Sequence, residues 1–216
     1  MNKLSKTILS IAIGMAAVGV IFGQQAKFPG RALTRHELAV NAADAKIGAE
    51  YINSYYLGYD LESAKNFIRS DQTREALAQL AFLWDELYLQ PEASQIESVM
   101  RMVIRFQGTA DQKIAKLETV RTNIEARLKT DHKWYYSVGK TSSQMTIAVN
   151  AEDYSAFGAK LAELGKLATT APAGTPAKLV SAMAKLGGYS GKTDLSDDDV
   201  AAIKAQWDAI DNMIGA

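Results

Sequence analysis

Apolar residues recur along most of this chain at spacings of three and four. Val200, Ile203, Trp207, Ile210 and Ile214 do so near the C-terminus, and Tyr154, Phe157, Leu161, Leu164 and Ala168 repeat the pattern. Such spacing gathers side chains on one face of a helix. Ile114, Leu117, Val120, Ile124, Leu128 and Tyr135 predict one long helix over about 110–137. Leu77, Leu80, Ala81, Trp84, Leu87 and Tyr88 form a broad stripe, as do Ile96, Val99, Met100, Val103 and Ile104. Leu38, Ala42, Ala45, Ala49, Ile52 and Tyr56 predict a helix from Arg35 to about Leu57, and a short helix over about 61–69 follows Asp60. Core packing accounts for nearly all of these residues.

Helix starts are marked in the same places. Thr34-Arg35-His36-Glu37 and Thr109-Ala110-Asp111-Gln112 read as capping boxes, in which a side-chain oxygen and a later carboxylate or amide exchange hydrogen bonds with free backbone N–H groups. Asn150 with Asp153 and Ser196 with Asp199 match the same spacing. Leu33 and Leu38, Val149 and Tyr154, and Leu195 and Val200 flank three of the four as hydrophobic staples. Thr175-Pro176 places an N-cap before a first-turn proline, and Pro91 suits another first turn.

Only Met145, Ile147 and Val149 alternate as a strand would, and five residues do not make a sheet. The expected fold is therefore all-α. Residues 34–137 hold twelve aromatics, whereas residues 150–216 hold four and are rich in alanine. We expect an aromatic-cored bundle of about five helices over 34–137, a joint over 138–149, and a smaller three-helix unit over 150–216 packed on the bundle. Ala171-Pro172-Ala173-Gly174 and Gly187-Gly188-Tyr189-Ser190-Gly191 supply loops within that unit.

The segment before this body is different. Lys3 and Lys6 precede an uncharged apolar run from Ile8 to Phe22, and Gly23-Gln24-Gln25-Ala26 follows. A basic start, a short apolar stretch and a polar exit are the layout of a secretory signal peptide over 1–23, with cleavage between 23 and 27. The run is shorter than the roughly 20 residues a spanning helix needs. Neither cleavage position offers small residues at both required places, so an uncleaved anchor in the inner membrane is the alternative. The expected location is the periplasm or the secreted space.

Composition narrows the chemistry. With no cysteine, disulfides, thiolate metal sites and covalent haem attachment are excluded. Basic and acidic residues balance at 24 each, and loss of Lys3 and Lys6 with the leader leaves a mature chain of about −2, which offers no polycationic case for nucleic acid. Gly139-Lys140-Thr141 lacks the earlier glycine of a phosphate loop, where Trp134 stands instead. Asp194–Asp199 lacks the ligand spacing of a calcium loop. No Glu-x-x-His pair, zinc-protease motif or serine elbow is present. No catalytic or metal-binding residues are therefore assigned, and no cofactor is expected.

Two aromatic clusters remain as candidate surfaces. Tyr51, Tyr55, Tyr56 and Tyr59 cover an arc too wide for one stripe. Lys133, Trp134, Tyr135 and Tyr136 end the predicted long helix, with Lys140 nearby. Consecutive aromatics on a helix point in three directions, and Tyr135 continues the buried face. Trp134 or Tyr136 is then free to meet a partner protein or an envelope polymer beside Lys133 and Lys140. Packing of both clusters into the bundle end is the structural alternative. The functional expectation is an exported, non-enzymatic helical protein that binds a partner or assembles with its own copies. A binder of a small apolar ligand is the second reading. Its haem form would use His132 with one of Met100, Met102, Met145, Met183 or Met213. An enzyme without a recognisable motif is the third.

Overall fold

A computed structural model describes residues 47–192 and 194–214. The expected leader, its cleavage site and the capping box at Thr34–Glu37, with His36, lie outside the described residues. The described chain forms eight α-helices and no strand: α1 Ala49–Arg69, α2 Thr73–Glu86, α3 Pro91–Ile104, α4 Ala110–Arg127, α5 Thr130–Asn150, α6 Tyr154–Thr169, α7 Ala177–Gly187 and α8 Asp197–Ile214.

Local signals explain several of the boundaries. The Thr109 side chain accepts the Gln112 N–H at 3.2 Å while Gln112 accepts the Thr109 N–H at 2.9 Å, so α4 opens on a complete capping box. Ser196 and Asp199 exchange the same pair of bonds, both at 3.2 Å, at the start of α8. Pro91 occupies the first turn of α3. Other boundaries differ from expectation. The N-cap of α6 is Asp153, whose side chain accepts the Ala156 N–H at 2.9 Å, while Asn150 ends the preceding helix. Pro176 is itself the N-cap of α7, without a side-chain cap.

Three larger corrections concern helix extent. Of the helix expected from Arg35 to about Leu57, the part before Ile47, with Leu38, Ala42 and Ala45, lies outside the described residues, and the part from Ala49 runs on through 61–69 as one continuous α1. Gly58 does not break it, because a glycine inside a helix costs only about 1 kcal/mol and this one is packed. The predicted helix over 110–137 is two helices. Leu128 and Lys129 are extended, with ψ of 132° and 159°, and Asp131 sits in the first turn of α5, where a carboxylate favours the helix dipole. Finally, residues 138–149 are the C-terminal half of α5 rather than a joint, and Met145–Val149 is helical.

Helices α1 and α5 form the spine. A Cβ added to Gly58 would lie 2.1 Å from the Tyr136 carbonyl oxygen, and one added to Gly139 would lie 1.9 Å from that of Tyr55. The two backbones thus meet at a pair of glycine notches, and the small buried residues Ser63, Ser142 and Ser143 line the same seam. The Ser63 and Ser143 hydroxyls are 3.0 Å apart across it. Helices α2, α3 and α4 pack in sequence, α2 and α4 also reaching α1, around Leu61, Phe67, Leu80, Leu83, Ile96, Val99, Leu117 and Ile124. Helices α6, α7 and α8 follow α5 around Phe157, Leu161, Leu164, Met183, Leu186, Ile203 and Trp207. Phe157 and Trp207 stack at 5.7 Å. Among the described residues no helix is long and apolar enough to cross a membrane.

Candidate functional site

The candidate aromatic clusters converge on the spine, and most of their side chains are interior. Because α5 has α1 on one side and α6 on another, each of its three consecutive aromatics finds a covering element. Trp134 is 6% exposed and donates its indole N–H to the Leu167 carbonyl at 2.9 Å. Tyr135 stacks on Tyr51 at 4.8 Å and meets Trp134 edge-on at 4.9 Å. Tyr136, 1% exposed, turns toward α4. Tyr55 and Tyr59 are buried and stack at 6.0 Å. Neither Trp134 nor Tyr136 therefore offers an exposed ring. Lys133 is exposed, Lys140 and Tyr51 are half-buried, and Gly139, between the aromatics and Lys140, is pressed against α1.

His132 is half-buried against this cluster. Its ring lies 5.0 Å from that of Tyr51, and its Nδ1 is 3.3 Å from the Ser54 hydroxyl. Of the methionines considered beside it, Met145 and Met183 belong to the core around Trp207, Met213 packs on that core, and Met100 packs on the other one.

An ionic network, buried at Lys65 and Glu62 and open to solvent at Glu118, joins α1, α4 and α5. Lys65 Nζ bonds to Glu62 Oε1 and Glu118 Oε1, each at 2.6 Å. Arg121 bonds to Glu118 through Nε and to both Glu125 oxygens at 3.0 Å. Gln144 donates to Glu62 Oε2 at 3.1 Å. Burial alone would raise the Glu118 carboxyl, but hydrogen bonds from Lys65 and Arg121 outweigh it and hold the group below its usual range. The Tyr136 hydroxyl faces this network without a hydrogen-bond partner, and burial, then the Glu125 and Glu62 charges, push its ionisation far above the usual range. Burial and the facing Asp211 do the same to Tyr55. All three carboxylates are engaged, so the network clamps helices together rather than presenting a free base. Among the described residues no group of histidines and carboxylates is placed to hold a metal ion.

The exposed large apolar residues lie elsewhere, at the end of α2 and in or beside the turns at the two ends of α3. Leu89 is 85% exposed and Phe106 79% exposed, one in the turn before α3 and the other in the turn after it. Tyr88 and Ile104 are also exposed, and Trp84, at the margin of exposure, meets Tyr88 edge-on at 5.4 Å. Leu89 and Phe106 have φ of 70° and 52°, the left-handed region that glycine occupies at least cost. The periodic stripes assigned Trp84, Tyr88 and Ile104 to the core and passed over Leu89 and Phe106. The available sequence signal was a bulky apolar residue inside each interhelical turn, where glycine or asparagine is the usual choice.

No protein-family model matches this chain, and no curated protein or solved structure matches it.

Proposed function

We propose that this is an exported, non-enzymatic helical protein that works by self-association, pairing with a second copy through the outer edge of α2 and α3. In this reading a five-helix body, α1–α5, carries the edge, and α6–α8 form an appended three-helix unit. The observation behind it is the exposure of Leu89 and Phe106. Each exposes a large apolar side chain and holds a left-handed backbone at a cost of roughly 1–2 kcal/mol. The backbone itself is ordinary helix capping, since Asp71 and Glu152 close α1 and α5 in the same conformation; what sets Leu89 and Phe106 apart is that such a position, open to solvent, carries a large apolar side chain.

The pattern along α3 is self-complementary. Glu97, Arg101 and Ile104 fall on its outer face, three and four residues apart, with Leu89 beyond one end and Phe106 beyond the other. A two-fold axis through the outer face of α3, midway between Glu97 and Arg101, would set Glu97 opposite Arg101 of the second copy, and Arg101 opposite its Glu97. The same axis brings the Leu89 end of one chain to within about one helical turn of the Phe106 end of the other. Glu97 and Arg101 now pair within their own helix and are half-exposed or more, so exchanging partners costs little desolvation.

Sedimentation of the mature chain over a range of concentrations tests this. A concentration-dependent dimer is expected, weakened in Arg101→Glu and restored in the charge-swapped Glu97→Arg/Arg101→Glu double variant. Leu89→Gly/Phe106→Gly is expected to lose the dimer while keeping or raising the melting temperature. A wild-type monomer at all concentrations, or a double swap no better than the single one, rejects the proposal. Export rests on the basic and apolar leader. It predicts a mature N-terminus between Gln24 and Phe28 in protein from the native host, and Met1 on a soluble cytoplasmic pool rejects it.

A further inference from the structure

Four helices are followed by a non-glycine residue with positive φ: Asp71 after α1, Leu89 after α2, Phe106 after α3 and Glu152 after α5. Three of these ends close in the same way. The next N–H reaches the carbonyl five residues back, Gln72 to Phe67 at 2.9 Å, Gln107 to Met102 at 2.8 Å and Asp153 to Ala148 at 2.9 Å. That bond fastens the ordinary left-handed helix end to its own last turn. The turn after α2 lacks it. There the Gln90 N–H bonds to the Leu87 carbonyl, three residues back, at 2.8 Å. The turn that presents Leu89 is therefore without the bond that ties the other three to their helices.

A different helix supplies the hold. Arg127, the last residue of α4, donates from Nη1 to the Gln90 side-chain oxygen at 2.7 Å and from Nη2 to Glu92. Gln90 directly follows Leu89, and Glu92 stands in the first turn of α3. The Glu92 side chain is 4% exposed and that of Arg127 45%. A carboxylate so buried needs its counter-charge, which anchors the guanidinium. The planar fork then reaches both acceptors at once, a geometry that the point charge of an ammonium does not supply.

We propose that Arg127 is a positioning residue for self-association: through Gln90 and Glu92 it fixes the turn so that Leu89 stands out toward the second copy. The inference rests on the reading of the α2–α3 edge as the dimer surface. Its physical basis is preorganisation, since a turn already held in place has less ordering left to do on binding.

Hydrogen exchange and sedimentation of the mature chain test it. Arg127→Met alone leaves the buried Glu92 carboxylate without its counter-charge, so Arg127→Met/Glu92→Met removes both charges together. At a concentration where the chain is monomeric, the Tyr88 and Gln90 amides are expected to exchange roughly tenfold faster in the double variant than in wild type, the scale of one charge-assisted hydrogen bond. The Phe106 and Gln107 amides, held by bonds within their own helix end, are expected to keep their rates. At higher concentration the dimer is expected to weaken about fivefold or more, the effect of a turn that must be ordered on binding. Arg127→Lys, which keeps the charge and loses the fork, is expected to fall between. Unchanged exchange at Tyr88 and Gln90, or equal acceleration of both turns, overturns the proposal. So does faster exchange with an unchanged dimer. A wild-type monomer at every concentration rejects self-association itself, and because the exchange comparison needs no dimer, the two failures are told apart.

Discussion

Trp134 and Trp84 each sit in an aromatic-rich stretch of helix, and their positions in the packing give them opposite environments. Trp134 is covered by α6 and bonds its indole N–H to a carbonyl there, whereas Trp84 is 37% exposed beside exposed Tyr88. The difference is not one of residue type. Helix α5 packs on α1 and α6 and turns Tyr136 toward α4, so side chains in three directions are enclosed. Helix α2 packs on α1 and α3 and leaves part of its broad apolar stripe uncovered. A wide apolar arc therefore marks interior in one helix and surface in the other. The number of neighbours decides which.

The largest expected effect tests that contrast directly. Trp134→Ala is expected to cost roughly 3–5 kcal/mol, the range for deleting a buried aromatic. Trp84→Ala, measured at a concentration where the chain is monomeric, is expected to cost less than about 1 kcal/mol. Urea unfolding of the two variants decides the matter. Equal costs would mean that the two stretches are buried alike and that the exposed edge is not a distinct surface.

The buried ionic network is next. Lys65→Met removes the cation shared by Glu62 and Glu118, with the Lys65 and Glu62 side chains 7% and 8% exposed. Leaving a buried carboxylate without its partner costs roughly 3–5 kcal/mol. Replacing Lys65 and Glu62 together by Met and Gln is expected to recover part of that loss, because no unpaired charge then stays inside. A double variant as unstable as the single one would show that the network contributes through packing alone.

The seam between α1 and α5 gives a sharper probe of close packing. Alanine ordinarily favours a helix over glycine by about 1 kcal/mol, yet a Cβ at position 139 would lie 1.9 Å from the Tyr55 carbonyl oxygen. Gly139→Ala is therefore expected to destabilise by roughly 1–3 kcal/mol, the usual cost of overpacking. Gly174, with open space around its Cβ position, lacks such a clash, although its φ of 88° strains any side chain. A Gly139→Ala chain that gains stability would show that the helices do not approach as closely as described.

These contrasts also explain which parts of the fold could be read from the sequence. The boxes at Thr109–Gln112 and Ser196–Asp199 were legible because a cap depends on residues three apart and nothing else. The break at Leu128–Lys129 was not. Leu128 and Tyr135 are seven residues apart, so a continuous helix and two helices sharing one core leave the same apolar pattern. Residues 138–149 read as a joint because Met145, Ile147 and Val149 alternate and the stretch separates an aromatic-rich part from an alanine-rich one, and Gly139, Thr141, Ser142 and Ser143 lie within it. They are small because α1 lies against them, a fact of tertiary contact that no local pattern carries. The candidate surface at Trp134 and Tyr136 was misplaced for the same reason. Seeing three directions on one helix does not reveal how many of them are covered.

The smallest expected effect concerns pH and separates the clamp's charge from its shape. Glu118 has its carboxyl held below the ordinary value of 4.5 in the folded chain. A depressed folded value means that the charged form contributes stability above the unfolded value, and that this contribution is lost as pH falls through the folded one. The side chain is 37% exposed, so solvent and salt screen the effect and it should be well below that of the buried Lys65–Glu62 pair. Glu118→Gln keeps the shape and removes the charge. It is expected to lower the urea midpoint at pH 7, and the gap from wild type should close as pH falls below the ordinary carboxylate range and Glu118 itself becomes protonated. Added salt should narrow the gap at pH 7. A gap that stays constant from pH 7 down to the onset of acid unfolding would assign the contribution of Glu118 to packing on Lys65 and Arg121 rather than to their charge.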